Sequence, residues 1–184
     1  MKENLCFIRT KLLALLLCLS FLLSFCCGCQ KNALYTKFQN SAFDAEFVFI
    51  APNVEFRATA NISAPSTECD ERDVTLVFSA PNALAGLTLR RTKGTVSLSF
   101  HGILVEDFPV DVLLRPIELL LCEGNITVLG ETELDGIRYI SAQLKNEKDQ
   151  EIYELYFEPN TNVPKEFRTK TERLRIESFE LRTP

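Results

Sequence analysis

The sequence predicts a mainly β protein, a half-open barrel of about eleven antiparallel strands with an N-terminal helix and one internal helix. Three observations lead to this fold class. Apolar and polar residues alternate with period two through most of the chain after residue 42, which is typical of strands with one wet face. Short turns separate the alternating runs, and hairpins joined by short turns build antiparallel sheet. Two segments with helical spacing interrupt the pattern.

The clearest strand is residues 54–63, where Val54, Phe56 and Ala58 alternate with polar residues. Turn chemistry separates such runs, and the dipeptide Asp135-Gly136 favours a tight hairpin. The eleven predicted strands are residues 43–50, 54–63, 73–79, 87–92, 95–100, 103–106, 125–129, 137–144, 151–157, 163–169 and 174–181.

The two helical segments are residues 31–41 and residues 110–123. The first places apolar side chains at the spacing of a short amphipathic helix. The second is rich in leucine, with Pro116 placed to start a helix and Gly124 placed to end it. A long sheet that is apolar on one face must curl or be covered. We therefore expect the sheet to curl around these helices as a half-open barrel.

The N-terminus has the features of a secretion signal. Lys2, Arg9 and Lys11 give a positive start, and residues 12–27 contain no charged side chain. A membrane-spanning helix needs about 20 apolar residues, and this run is shorter. The whole chain has 184 residues, of which 46% are hydrophobic, enough for one packed core. A cleaved signal followed by one domain is the prediction.

The end of the apolar run resembles a bacterial lipobox, with Cys26-Cys27-Gly28-Cys29 in its register. The small residue Gly28 gives a peptidase access to the bond before Cys29, the predicted lipidated cysteine. The sequence departs from the usual pattern at Cys26, where leucine is common, and an ordinary secretory signal is the alternative. Two acyl chains on Cys29 would hold the protein at the extracytoplasmic face of the cell membrane. The predicted parts are a signal peptide over 1–28, a lipidated cysteine with an N-terminal helix or linker over 29–42, and one β domain over 43–184.

Charge and composition argue against several function classes. Removal of residues 1–28 takes away three basic residues and one acidic residue, which leaves 17 basic and 24 acidic residues and a formal charge of −7. An acidic surface repels phosphate backbones, so we expect no nucleic acid partner. We also expect no enzyme activity, because His101, the single histidine, lies in a turn without a serine nucleophile motif. No metal or cofactor is expected, and a monomer is favoured.

Two cysteines remain in the mature chain, Cys69 and Cys122. Outside the cytoplasm such a pair can be oxidised to a disulfide. The alternative is an exposed thiol at Cys69, which follows polar residues, and a small buried hydrophobe at Cys122, which ends an apolar run. Their spacing does not decide between the two.

The order of helix, six-strand meander, helix and second meander after a lipobox resembles the LolA and LolB lipoprotein-sorting superfamily, whose fold RseB and mycobacterial LppX and LprG share. Phe78-Ser79-Ala80-Pro81, leading into Leu87-Thr88-Leu89, looks like a strand, proline turn and strand of that superfamily. Residues 156–165 are similar to a later strand and turn, with Asn162 in place of a glycine. The chain is also similar to uncharacterised lipoproteins of Gram-positive clostridia.

This resemblance implies a hydrophobic cavity between the sheet and the helices that can hold a lipid or another apolar ligand. An anchored protein cannot shuttle freely, so the resemblance fits an anchored receiver or sensor. The alternative is that the same side chains fill the core and that the chain is a ligand-free protein-interaction or sensor module of the envelope. The candidate lining residues are Phe47, Phe49, Phe56, Leu76, Phe78, Leu89, Leu98 and Phe100.

Overall fold

The computed structural model describes residues 37–65, 72–106, 111–121, 124–146 and 150–182. These residues belong to one compact unit, Tyr35–Pro184. Together they form eleven strands, one α-helix and one 3-10 helix.

All eleven predicted strands are confirmed. The predicted N-terminal helix over 31–41 is described only at its end, which is the 3-10 helix Lys37–Asn40. The internal helix is α1 (Asp111–Leu120), between β6 and β7. The strands are β1 (Phe43–Ala51), β2 (Val54–Ile62), β3 (Val74–Ala80), β4 (Thr88–Thr92), β5 (Thr95–Phe100), β6 (Ile103–Glu106), β7 (Gly124–Leu134), β8 (Ile137–Asn146), β9 (Ile152–Phe157), β10 (Pro164–Arg168) and β11 (Arg173–Leu181).

Strand β7 is longer than its sequence pattern predicts. The sequence pattern predicts a strand over residues 125–129, which ends at Leu129. In the structure the pairing with β8 continues through a β-bulge between Val128 and Gly130. A bulge admits one extra residue and then restores the pairing, so β7 runs on to Leu134.

Tight turns join several neighbouring strands. Asp135 and Gly136 both have positive φ, at 52° and 78°, as a two-residue type I′ turn requires. The dipeptides Lys93-Gly94 and His101-Gly102 form the same kind of turn. Asn162 has a φ of 56°, which confirms that it can replace a glycine in the turn before β10. These turns hold each strand beside its sequence neighbour.

The eleven strands form one antiparallel sheet in the order β6-β5-β4-β3-β2-β1-β11-β10-β9-β8-β7. The sheet is not closed, because β6 and β7 are its two edges. The segment between these edges carries α1. Strands β1 and β11 pair in the middle of the sheet, with Phe43 opposite Leu181.

One face of the sheet, here called the inner face, carries the hydrophobic core. Phe38 from the 3-10 helix packs its ring 6.1 Å from Phe167 and 6.4 Å from Phe157, measured between ring centroids. Ile117 and Leu120 of α1 are buried in the same core cluster. The 3-10 helix and α1 therefore both contribute to covering the inner face, as expected for a half-open barrel.

The predicted ends of the internal helix are wrong in two respects. Pro116 lies in the second turn of α1 and not at its start. At that position proline cannot donate the hydrogen bond to the carbonyl four residues earlier. Burial of Ile117 and Leu120 offsets this loss, since most helix stability in proteins comes from packing an apolar face.

Gly124 was predicted to end the helix, but it is the first residue of β7 and lies opposite Asn146. A Cβ at this position would lie 2.2 Å from the carbonyl oxygen of Lys145. No side chain fits at that distance, so the glycine permits close approach of β8. Gly124 is therefore required by the close packing of β7 against β8, and it does not end the helix.

Candidate functional site

Six of the eight predicted lining residues are fully buried in the core. The ring of Phe56 lies 5.3 Å from that of Phe49 and 5.1 Å from that of Phe78, between centroids. Such separations are those of rings in direct contact. The six residues therefore pack against their neighbours and fill this part of the half-barrel. They are Phe47, Phe49, Phe56, Leu76, Phe78 and Leu89.

The other two predicted residues, Leu98 and Phe100, are only partly buried. Leu98 lies opposite the buried Leu89 on one side and opposite Val105 on the other. Phe100 lies opposite Ile103. Partners in an antiparallel register point to the same face of a sheet, so all of these side chains are on the inner face.

Exposure on the inner face rises towards the edge of the sheet. Leu89 is 0% exposed, Val105 is 39% exposed and Ile103 is 67% exposed. The apolar surface of the core therefore continues beyond the covered region onto β5 and β6. We call the partly exposed inner-face residues of these strands the open apolar face: they are Val96, Leu98, Phe100, Ile103 and Val105.

Three members of the open apolar face, Val96, Ile103 and Val105, were not among the predicted residues. The alternation of β5 already placed Val96 on the same face as Leu98. The two-residue turn at His101-Gly102 fixes the register of β6, and that register sets Ile103 opposite Phe100. This turn is the sequence signal for Ile103 and Val105, because the register that it fixes places both side chains on the same face as Phe100.

Strand β6 is an edge strand with apolar side chains on both faces. Leu104, on the opposite face from Ile103 and Val105, is 61% exposed. An edge strand also leaves half of its backbone hydrogen-bonding groups without a neighbouring strand. The edge at β6 is thus the most apolar exposed part of the sheet on the side of β1–β6.

A charged side chain borders the open apolar face. Arg91 is two residues after Leu89 on β4, so it lies on the inner face. Its neighbours there are Val74 on β3 and Val96 on β5. Arg90, the residue before it, lies on the outer face opposite Ser97.

Ionisable groups on β10 and β11 are paired with each other. Glu166 accepts hydrogen bonds from Arg168 and Arg173. Burial raises the pKa of Glu166, but the hydrogen bonds from Arg173 and Arg168 outweigh it and hold the pKa below its usual value. The guanidinium of Arg168 also lies 5.1 Å from the ring centroid of Tyr156. This cluster has its charges satisfied within the fold, so we assign it a structural role.

Two surface grooves lie away from the predicted lining residues. One, of about 670 Å³, is bordered by Ile137, Tyr139 and Lys165. The other, of about 350 Å³, is bordered by Asp44 and Glu180. Both grooves mix polar and apolar groups, and neither is lined by any of the eight residues predicted to bind a ligand.

Among the described residues, no three histidine, cysteine, aspartate or glutamate side chains are close enough together to hold a metal ion. His101 is exposed in the turn between β5 and β6. In the same part of the chain, no helix is both long and apolar enough to cross a bilayer. The predicted signal peptide 1–28, Cys29, Cys69 and Cys122 lie outside the described residues, so the lipidation and the disulfide stay predictions.

No protein-family model and no curated protein sequence matches the chain. Solved structures do match. The structure of MucB is similar over 83% of this chain and 57% of the MucB chain, with 14% sequence identity and a TM-score of 0.52. This chain thus corresponds to little more than half of MucB. A complex of MucA and MucB from Pseudomonas aeruginosa is also among the matches, with 16% identity over 83% of this chain and 56% of the other and a TM-score of 0.47.

Two further structures are similar to this chain. An uncharacterized conserved protein from Thermus thermophilus has 12% identity, covers 82% of this chain and 85% of its own, and has a TM-score of 0.50. A LolA superfamily protein from Nitrosomonas europaea has 10% identity, covers 84% of this chain and 92% of its own, and has a TM-score of 0.40. At these identities the likeness concerns the fold, and similarity to clostridial lipoproteins stays a prediction. The resemblance to the LolA lipoprotein-sorting superfamily is confirmed at the level of the fold, which this chain shares with MucB.

Proposed function

We propose that the chain is a membrane-anchored extracytoplasmic lipoprotein that binds an apolar chain, such as a lipid acyl chain, on the open apolar face. The observation that carries the proposal is the continuous rise in exposure from the buried Leu89 to the exposed Ile103 along one face. Exposed apolar area costs about 25 cal/mol per Å² relative to burial. A ligand that covers this face recovers that free energy.

The ligand is expected to lie on this face and not deep inside the half-barrel. The rings of Phe49, Phe56 and Phe78 already occupy the interior under β1–β3. Leu98 and Phe100 on β5 are the two predicted residues that a ligand can reach without displacing the core. Binding alone accounts for these features, so we propose no catalytic activity and no cofactor.

We expect a fluorescent fatty acid to bind residues 30–184, which include every described element, and Phe100→Ser to weaken that binding about tenfold or more. The reason is that one aromatic side chain buries about 150–250 Å² of apolar surface. The measurement is a fluorescence titration, together with native mass spectrometry of protein purified from bacterial cells to detect co-purified lipid.

The matched control for Phe100→Ser is Ile152→Ser, because Ile152 on β9 is also an exposed apolar strand residue but lies outside the open apolar face. Its affinity for the probe should equal that of the unmodified domain. A lipid-free mass together with no uptake of the fatty acid would contradict the binding function. That result would favour the alternative, a protein-interaction module that uses the apolar edge strand β6.

The anchor is tested separately through Cys29 in the full chain. Bacterial cells grown with labelled palmitate are expected to label the unmodified protein and Cys27→Ser, but not Cys29→Ser. Cys27→Ser is the matched control, because it removes the same thiol two residues earlier in the apolar run. Equal labelling of Cys29→Ser would show that the lipid is attached elsewhere, and no labelling of any of the three would remove the anchor from the proposal.

A further inference from the structure

An arginine stands at one end of the open apolar face. Arg91 on β4 lies on the inner face between Val74 and Val96, which are both apolar. Arginine keeps its positive charge under all ordinary conditions, and a charge beside apolar side chains loses hydration. Arg91 is partly buried at this position, so any donor of its guanidinium that is shielded from water needs a partner.

Within the described part of the protein, one donor of the Arg91 guanidinium has no partner. The Nε atom of Arg91 is buried and has no hydrogen-bond partner among the described residues. Buried donors normally have a partner, and an unsatisfied one destabilises the folded state. Arg91 lies on the side of the sheet that carries the open apolar face.

Arg72 is a buried arginine whose hydrogen bonds are made within the fold, as expected for a structural role. Its guanidinium donates hydrogen bonds to the backbone carbonyl oxygens of Ser63 and Ser41, and it lies 5.3 Å from the ring centroid of Phe43. Burial lowers the pKa of Arg72 to about 10. Within the described ranges no acceptor meets the Nε of Arg91 in this way, so the two arginines serve different purposes.

The open apolar face begins beside Arg91. Val96 lies directly opposite Arg91, and the row continues along β5 to Phe100. At about 3.3 Å per residue, the four steps from Val96 to Phe100 span roughly 13 Å. A single positive group is thus followed by a narrow apolar strip on the same face of the sheet.

We infer that Arg91 binds the anionic head group, a carboxylate or a phosphate, of an amphiphile whose apolar chain lies along the open apolar face. The inference rests on the proposed binding function and specifies the class of ligand. The guanidinium fork of arginine matches the geometry of carboxylate and phosphate oxygens. An oxygen of such a group would accept hydrogen bonds from the guanidinium, and a small rotation of the Arg91 side chain would bring its buried Nε within reach, while the chain of the amphiphile covers Leu98 and Phe100.

The test compares a fluorescent fatty acid with its methyl ester, which has the same chain but no charge. Titrations use residues 30–184. Arg91→Gln is expected to weaken binding of the acid by about 10- to 100-fold, the usual effect of losing a hydrogen bond to a charged group. Binding of the ester should change by less than about twofold, which also shows that the variant is folded.

Two further variants complete the test. Arg90→Gln removes the same charge from the outer face of the same strand, so binding of both probes should be unchanged. Arg91→Lys keeps the charge but loses the fork, and it should weaken binding of the acid by less than Arg91→Gln does. Inorganic phosphate alone at millimolar concentration should not displace the acid, because the apolar chain is part of what binds.

Several outcomes would overturn the inference. If Arg91→Gln weakens the acid and the ester equally, or neither of them, Arg91 does not bind the head group, although the proposed function stands. Displacement of the acid by inorganic phosphate would point to a site for free anions. If the unmodified domain binds neither probe, the proposed function and the inference fail together.

Discussion

Replacing Phe56 by alanine is expected to lower the free energy of unfolding by about 3–5 kcal/mol. The side chain is 1% exposed, and its ring contacts those of Phe49 and Phe78. Alanine removes most of this buried apolar area and leaves a cavity that the surrounding strands cannot close. The measurement is urea unfolding of residues 30–184, with the midpoint compared at an unchanged denaturant slope.

Val77→Ala is the control for Phe56→Ala, because Val77 on β3 is 43% exposed on the outer face. Its effect should stay below about 1 kcal/mol. A comparably small loss for Phe56→Ala would contradict the close packing of the rings. The interior would then have free space, and a ligand could lie deeper than the open apolar face.

Replacing Pro116 by alanine is expected to raise the free energy of unfolding by about 1–3 kcal/mol. Proline inside a helix costs about 3 kcal/mol relative to alanine, because it removes one backbone hydrogen bond and clashes with the preceding turn. Part of the gain is offset, because Pro116 is buried and alanine loses some of its apolar contact, and because alanine gives the unfolded chain more freedom than proline does. Urea unfolding measures the difference.

Pro159→Ala provides the comparison, because Pro159 lies in the turn between β9 and β10 and not in a helix. There the substitution should lower the free energy of unfolding by about 0.4–1 kcal/mol, since only the entropy of the unfolded chain changes. Opposite signs for the two proline variants are expected. A loss of stability for Pro116→Ala would show that the contacts of the buried proline ring outweigh the missing hydrogen bond.

The strands could be predicted from the sequence because their signals are local. Alternation of apolar residues and two-residue turns such as Asp135-Gly136 act over about ten residues or fewer. The helix ends could not be predicted from Pro116 and Gly124, because neither residue marks an end of the helix. Packing of α1 on the core tolerates the proline, and the close approach of Lys145 requires the glycine.

The candidate site could be predicted only in part. Alternation correctly placed Phe56, Leu89 and Leu98 on one face, but it carries no information on which part of that face is covered. Coverage depends on where the sheet ends and on which strands the 3-10 helix and α1 contact, and these are tertiary features. Nothing in the sequence singles out Arg91, because a buried donor without a partner is visible only in three dimensions.

The pairing of β1 with β11 has a consequence for how the chain folds. Strands β1–β6 and β7–β11 each form from neighbouring segments, and such local contacts form quickly. The contact between Phe43 and Leu181 instead closes a loop of nearly the whole domain. Its entropic cost is about 4 kcal/mol plus a constant, from the logarithmic dependence on loop length. The two halves therefore meet at their outermost strands, and we expect that encounter to be slower than strand pairing within each half.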